Sequence, residues 1–417
     1  MKKLKKYIYL CLGLLATTQA NAAGYQLQEY SVTGLGRAFA GQGIMGDDFS
    51  ALAYNPAGMN FVNQSGFQLG ATSVDIRSKV RGESTDKTGY RREGKTSPRI
   101  FRVLPSFFGQ YKLNDKTTFG MGVYTPFGLA TDYENDWFGN VHGKYSSISV
   151  VNFTPAVSYK LADSLSVGLG VNVQYASARL TSSVPMGGDV DLEADDTSIG
   201  YTVGLTYQPV KSTRFGLAYR SKVSHHLKGE NKAWSNLAKL DPLNYSHLGG
   251  EYDASAKIVT PETITFTAAH DLNKKWTLSG TARWTRWNRF DRLAIMQDNA
   301  PNGVLSETNE DWQNTWFFAL GADYKYCKNL TFRFGAGWDT TAIRAQERRT
   351  ARIPDERRIW TSLGATYMKN NWQLDVGYSH LFIRSNHARG TAEASGTYNA
   401  KYNSASDLLG VQLQYKF

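Results

Sequence analysis

The chain has 417 residues, 41% of them hydrophobic and 13% aromatic, with a formal net charge of +11 and a mean hydropathy of -0.42. This excludes both a disordered tail and a helical membrane protein, since past the N-terminus no stretch approaches the roughly 20 apolar residues a spanning helix needs. With 39 Gly, 24 Tyr, 20 Phe and 10 Trp against 2 Cys and 11 Pro, the composition points to many strands and tight turns, and to one large barrel rather than several soluble domains.

Lys2, Lys3, Lys5 and Lys6 precede the apolar run Tyr7 to Ala16, and Ala20-Asn21-Ala22 supplies small residues at the spacing a signal peptidase reads. The expectation is a secretory signal over residues 1–22, cleaved after Ala22. Losing four lysines and no acids takes the charge from +11 to +7. Cys11 leaves with the signal, so Cys327 is the one remaining thiol and no internal disulfide is possible.

Residues 23–64 do not alternate. They are rich in Gly and Ala, and short apolar clusters such as Ala51-Leu52-Ala53 are broken by Gly and by Asn55-Pro56. A segment of this kind needs somewhere to pack, and the lumen of a barrel formed by residues 65–417 would make it a plug.

From about Gly66 onward, apolar residues recur at every second position in fourteen segments, from 66–76 to 407–417. The last has Leu409, Val411, Leu413, Tyr415 and Phe417 on one face and Gly410, Gln412, Gln414 and Lys416 on the other. Short turns such as Leu113-Asn114-Asp115 and Lys369-Asn370-Asn371 alternate with long polar connections near 81–97, 185–197, 229–259, 291–311, 343–357 and 386–406. An even strand number with short turns at one end and long loops at the other is the pattern of an outer-membrane barrel. Tyr111, Tyr159, Tyr207, Trp276, Tyr324, Tyr367, Trp372 and Tyr415 recur beside the short turns, as an interfacial girdle would. The fold class is therefore all-β: a fourteen-stranded antiparallel transmembrane barrel with a partly helical N-terminal hatch.

At this point specific motifs enter. Ala23-Gly24-Tyr25-Gln26-Leu27, Gly34-Leu35-Gly36-Arg37-Ala38, Asp47-Asp48 and Asn55-Pro56-Ala57 resemble the hatch of FadL-type outer-membrane transporters of long-chain fatty acids and other hydrophobic compounds. Gly128-Leu129-Ala130-Thr131-Asp132-Tyr133, Tyr219-Arg220-Ser221, Pro261-Glu262, Trp284-Thr285-Arg286-Trp287 and Ile353-Pro354-Asp355 continue the resemblance through the barrel in order. It implies passive uptake of hydrophobic molecules, with Asn55, Pro56 and Ala57 in the hatch against an opening in the wall. Asp47 and Asp48 cap a hatch helix or pair with lumen cations rather than touch substrate.

A fatty-acid carboxylate buried in a lumen needs a cation. Lys160, Arg220, Lys222, Arg283 and Arg333 fall on the lumen parity, and Arg220, Lys222 and Arg283 are the ligand-binding candidates. Phe215, Leu217 and Tyr219 point outward on the same strand and leave Arg220 and Lys222 inward. The exit is expected at Pro126, Phe127 and Gly128, where Pro126 lacks a ladder donor and Gly128 adds no side chain to the wall. No catalytic, metal or cofactor constellation is present: the seven His are scattered, and Ser379 and His380 are strand neighbours on opposite faces. The expectation is thus a monomeric, non-enzymatic outer-membrane transporter of fatty acids. Aromatic hydrocarbons or a general diffusion pore are the alternatives, and the basic balance faces lipopolysaccharide phosphates rather than nucleic acid.

Overall fold

The computed structural model describes residues 24–392 and 396–417, so the expected signal, 1–22, lies outside the described residues. Fourteen antiparallel strands form the wall. They are β1 (Gly66–Thr85), β2 (Arg91–Thr96 and Arg99–Lys112), β3 (Thr117–Asp132), β4 (Tyr145–Ala162), β5 (Leu165–Ser183), β6 (Gly188–Val210) and β7 (Thr213–Arg220 and Val223–Ser235). There follow β8 (Gly250–Thr260 and Thr263–Asp271), β9 (Trp276–Thr285), β10 (Thr315–Cys327), β11 (Leu330–Asp339), β12 (Arg358–Lys369), β13 (Trp372–Ile383 and Asn386–Ala392) and β14 (Gly396–Lys416). The sheet closes where β1 meets β14, in register from Gly66 opposite Lys416 to Thr85 opposite Thr397.

Alternation decides which face meets lipid. On β14, Leu409, Val411 and Leu413 are exposed while Gln412 and Gln414 are buried in the lumen. Tyr111, Tyr159, Tyr207, Trp276, Tyr367 and Trp372 are all exposed at the short-turn end, as a girdle at the membrane interface requires.

The structure corrects the reading of four of the long connections. Residues 185–197 are mostly strand: β6 starts at Gly188 and pairs with β5 up to Asp189 opposite Ser183. Residues 81–97 fold as a hairpin, Thr85 opposite Arg91, and 386–406 as another, Ala392 opposite Gly396. In 229–259, β7 runs to Ser235 and β8 restarts at Gly250. The ladder continues above the bilayer, where both faces are polar, so the apolar period that marks a strand in sequence disappears although the backbone pairing persists.

One irregularity reverses a face. Thr202 of β6 pairs with Arg220, yet Asp195 pairs with Lys228, so β7 carries one residue more than β6 over this stretch. Ser221-Lys222 stand outside the ladder opposite Pro261-Glu262 of β8. The parity inverts at this bulge. Arg220 is buried, whereas Lys222 is exposed, contrary to the strict alternation that placed it inward.

The hatch fills the lumen with three single-turn helices, α1 (Val32–Leu35), α2 (Ala51–Tyr54) and α3 (Met59–Val62), and a 3-10 turn at Pro56–Gly58. Ser31 caps α1 by accepting from Gly34 N at 2.9 Å. Asn55 caps the 3-10 turn by accepting from Ala57 N at 3.1 Å, with Pro56 in the first position where a missing N–H costs nothing. The wall admits these turns through glycines. A Cβ on Gly204 would lie 1.9 Å from Asn55 Oδ1, one on Gly168 2.2 Å from Ala57 N, and one on Gly335 2.1 Å from the Arg37 carbonyl carbon. Gly204→Leu is expected to leave a heat-modifiable barrel on electrophoresis while dislodging the hatch, raising small-sugar permeability in liposome swelling above wild type.

Candidate functional site

The lower lumen holds a buried ion network that joins hatch to wall. Arg37 Nη1 donates to Asp47 at 2.6 Å and to Asp323 at 3.2 Å. From β11, Arg333 reaches Asp47 at 3.3 Å, Asp323 at 3.3 Å and Asp375 at 3.9 Å. Gln373, Gln412 and Gln414 donate to Asp375. Asp48 accepts from Thr33 Oγ1 at 2.7 Å, Ser50 Oγ at 2.6 Å and Ser31 Oγ. Both carboxylates are thus consumed by structure, and removing one partner of such a buried pair costs on the order of 3–5 kcal/mol.

Higher in the lumen the character changes from ionic to aromatic. Tyr30 stacks on Tyr54 with centroids 4.5 Å apart and meets Tyr124 of β3 at 4.6 Å. Arg220 Nη2 donates to Tyr124 Oη at 2.9 Å and to Ala53 O at 2.8 Å. Its partners are neutral, and no carboxylate lies within ion-pair distance among the described residues. From β9, Arg283 Nη1 donates to Gln28 Oε1 at 2.9 Å and sits 4.9 Å from the Phe317 ring centroid, while its Nε is a buried donor without a partner among the described residues. Next to Gln28, Glu29 is buried, its carboxylate accepting from the Gln28 N–H at 2.7 Å. Of the three cations singled out in sequence, Arg220 and Arg283 therefore flank this aromatic site and Lys222 is outside it.

The ladder of the wall is interrupted beside Tyr124. The β2–β3 ladder stops at Phe107 opposite Val123, and β3 shifts register between Tyr124 and Phe127. From Tyr124 to Thr131 every residue is buried, so β3 bends into the lumen and leaves residues 99–106 of β2 paired with β1 alone. Pro126, Phe127 and Gly128 lie in this bend. The hatch segment bonded there is the N-terminal one: Leu27 N donates to Pro126 O at 2.8 Å and Gly128 N to Tyr25 O at 2.8 Å. Asn55-Pro56-Ala57 sits elsewhere. Asn55 Nδ2 donates to Leu205 O at 3.1 Å and Leu217 O at 3.4 Å, and Ser158 Oγ donates to Ala57 O at 3.1 Å, so the tripeptide seats on β4 to β7.

Above the bend Tyr25 packs against Phe127, Trp287, Phe290 and Trp312, with the Trp287 ring 4.6 Å away. Gly24 N donates to Asp355 at 3.2 Å. At the loop end a cleft of about 760 Å³ is bordered by Tyr90, Arg92, Lys144, Met186 and Trp234.

A closed barrel filled by its own N-terminus, with an aromatic interior and an interrupted ladder in its wall, is the architecture of a transporter of hydrophobic compounds across the outer membrane. The chain belongs to the family described as outer membrane protein transport protein (OMPP1/FadL/TodX), whose model matches residues 13–417. It is 28% identical over 440 residues to the long-chain fatty acid transport protein of an Escherichia coli strain, covering 97% of this chain and 96% of that one. With outer membrane protein P1 of Haemophilus influenzae it shares 29% identity over 471 residues and 100% of both chains. A solved Pseudomonas aeruginosa FadL homologue superposes with a TM-score of 0.88 at 25% identity, over 95% of this chain and 100% of that one. The Pseudomonas putida toluene transporter TodX shares the fold, at a TM-score of 0.71 and 17% identity, over 95% and 100%. Family members are transporters, not enzymes, and reside in the outer membrane.

Sequence reasoning passed over Tyr30, Tyr54 and Tyr124. Tyr124 was within reach: with Phe119, Met121 and Val123 outward on β3, a tyrosine on the lumen parity stands out. It also passed over Glu310, a buried carboxylate between β9 and β10 whose hydrogen-bond donor is Trp312 Nε1 at 3.0 Å. Burial pushes Glu310 up to about 7 from 4.5. As pH rises through that window the unfolded chain ionises first, so stability falls between pH 4.5 and 7 and levels off above. Glu310→Gln is expected to flatten this dependence and to raise stability at pH 8 by on the order of 3 kcal/mol, read from thermal unfolding at several pH values.

Proposed function

We propose that this transporter takes up long-chain fatty acids. The observation that carries the reading is Arg220, a buried guanidinium held by a tyrosine hydroxyl and a backbone carbonyl. An uncompensated cation in a site of low polarity is costly, and an anionic headgroup supplies the missing charge where a neutral hydrocarbon supplies none. The unpartnered Nε of Arg283 offers a second donor. An acyl chain alongside gains about 0.8 kcal/mol for each methylene removed from water among Tyr30, Tyr54, Phe127 and their neighbours.

In this reading the ligand enters at the loop cleft beside Trp234 and Met186, binds at Arg220, and leaves sideways between β2 and β3. Exit into the membrane spares the apolar chain a passage through water. Asn55, Pro56 and Ala57 act as the seat that holds the hatch beneath this route. The aromatic cluster around Tyr25 and Trp287 favours a second reading, an aromatic hydrocarbon as cargo, and the relatives include transporters named for each. A water-filled diffusion pore fits poorly with a lumen occupied by the hatch.

Charge separates the two cargoes. Arg220→Ala with Arg283→Ala is expected to weaken oleate binding by about tenfold or more, the size of one or two charged hydrogen bonds, and to leave toluene binding unchanged. Titration of both ligands into the purified protein measures this; equal effects on the two would favour the hydrocarbon. For the route, Pro105→Cys with Thr125→Cys in a Cys327→Ser background is expected, once the crosslink is verified, to abolish oleate uptake into cells while oleate still binds. Uptake at the wild-type rate by the crosslinked barrel would redirect the path through the hatch.

A further inference from the structure

The outer wall formed by β13, β14, β1 and β2 is apolar up to the row Tyr378, Leu409, Ser73 and Val103, which the register sets side by side. The next outward row holds His380, Asp407, Asp75 and Phe101. Its two acids are satisfied: Asp407 lies 2.7 Å from His380 Nδ1, accepts from Tyr378 Oη at 2.7 Å and pairs with Arg77, and Asp75 pairs with Arg99 at 2.8 Å. Farther from the membrane the wall turns cationic. His387, Lys401, Arg81 and Lys95 stand directly opposite one another on four adjacent strand segments. Lys79 lies one outward position below Arg81, and Arg389 one above His387.

Like charges placed directly opposite one another destabilise a sheet. Lys79, Arg81, Lys95, Lys401 and Arg389 are all exposed, and none has a carboxylate within ion-pair distance among the described residues. Glu83, the nearest acid on β1, is engaged by Arg91. Lys401 lies four residues beyond Ala405, the partner of the exposed Phe382. At about 3.4 Å per residue and a tilt of about 40°, the row stands roughly 10 Å above Phe382 and roughly 20 Å above Leu409, at the level of a glycolipid's phosphorylated headgroup rather than of its acyl chains.

We infer that this row binds the phosphate groups of a phosphorylated glycolipid of the outer leaflet, lipopolysaccharide, whose acyl chains lie on the exposed rows below. Anionic oxygens placed between Lys95, Arg81 and Lys401 turn the repulsion of the empty row into attraction, and Arg offers each phosphate a planar, two-pronged donor. The apolar rows that end at Leu409 and Val103, below the intervening polar rows, select a lipid over a soluble polyanion.

The test compares the full-length protein with an Arg81→Gln, Lys95→Gln, Lys401→Gln variant, none of which touches the lumen site. Heat modifiability and oleate binding serve as folding controls. Purified lipopolysaccharide is titrated into each protein in detergent, alongside the same glycolipid after phosphatase treatment and alongside phosphatidylglycerol. The expected result is at least tenfold tighter binding of the intact glycolipid by the wild type than by the variant, with a similar loss on dephosphorylation. Equal binding by the variant, or equal binding of the dephosphorylated form, overturns the assignment. Phosphatidylglycerol binding as tight as the glycolipid overturns the choice of ligand.

Discussion

Asp47, held between a guanidinium of the hatch and one of the wall, is the contact on which the interior depends. Arg37 and Arg333 share it, and both reach Asp323 as well, so the ion pair internal to the hatch and the ion pair internal to the wall interlock. That interlock, through Arg37–Asp323 and Arg333–Asp47, ties residues 24–65 to the wall at one depth and rotation. Everything higher follows from it: the glycines that admit the hatch backbone, the stacking of Tyr30 on Tyr54, and the N-terminal segment lying along β3.

The two interruptions of the wall meet at one point. Tyr124 is the last residue of β3 before its register shift, Arg220 the last of β7 before its bulge, and they are hydrogen-bonded to each other at 2.9 Å. Regular alternation accounts for the buried Arg220, but it would have buried only every second residue of the run from Tyr124 to Thr131. Departures from the regular ladder thus gather where the chemistry is, as expected when bulges re-aim side chains at functional sites.

The sequence made the barrel legible wherever lipid imposed a period. Leu165, Val167, Leu169, Val171 and Val173 announce β5 because one face must be apolar at bilayer depth. The same strand beyond Ala178 faces water on both sides and carries no such mark. Lys222 was misplaced because an extra residue in β7 has no signature of its own; only the neighbouring Pro261 on β8 hints that the ladder is interrupted there. The tripeptide Asn55-Pro56-Ala57 announces a capped turn, yet which strands it touches depends on the glycines at 168, 204 and 216, set far apart in the chain. Pro126 was readable as a break for a covalent reason, since a residue without an N–H cannot hold a ladder.

The bend in β3 has a thermodynamic consequence. Its backbone is bonded on one side by Tyr25 and Leu27 of the hatch, which stand in for the strand that β2 no longer supplies. Inside a membrane those groups have no water to turn to, so shifting the N-terminal segment and altering the wall at Pro126 cannot be independent events. Any molecule that binds more tightly when Tyr25 is displaced also favours a changed bend, and by reciprocity a change imposed on the bend alters that molecule's affinity by the same factor. Occupancy of the lumen and width of the gap are two readings of a single equilibrium.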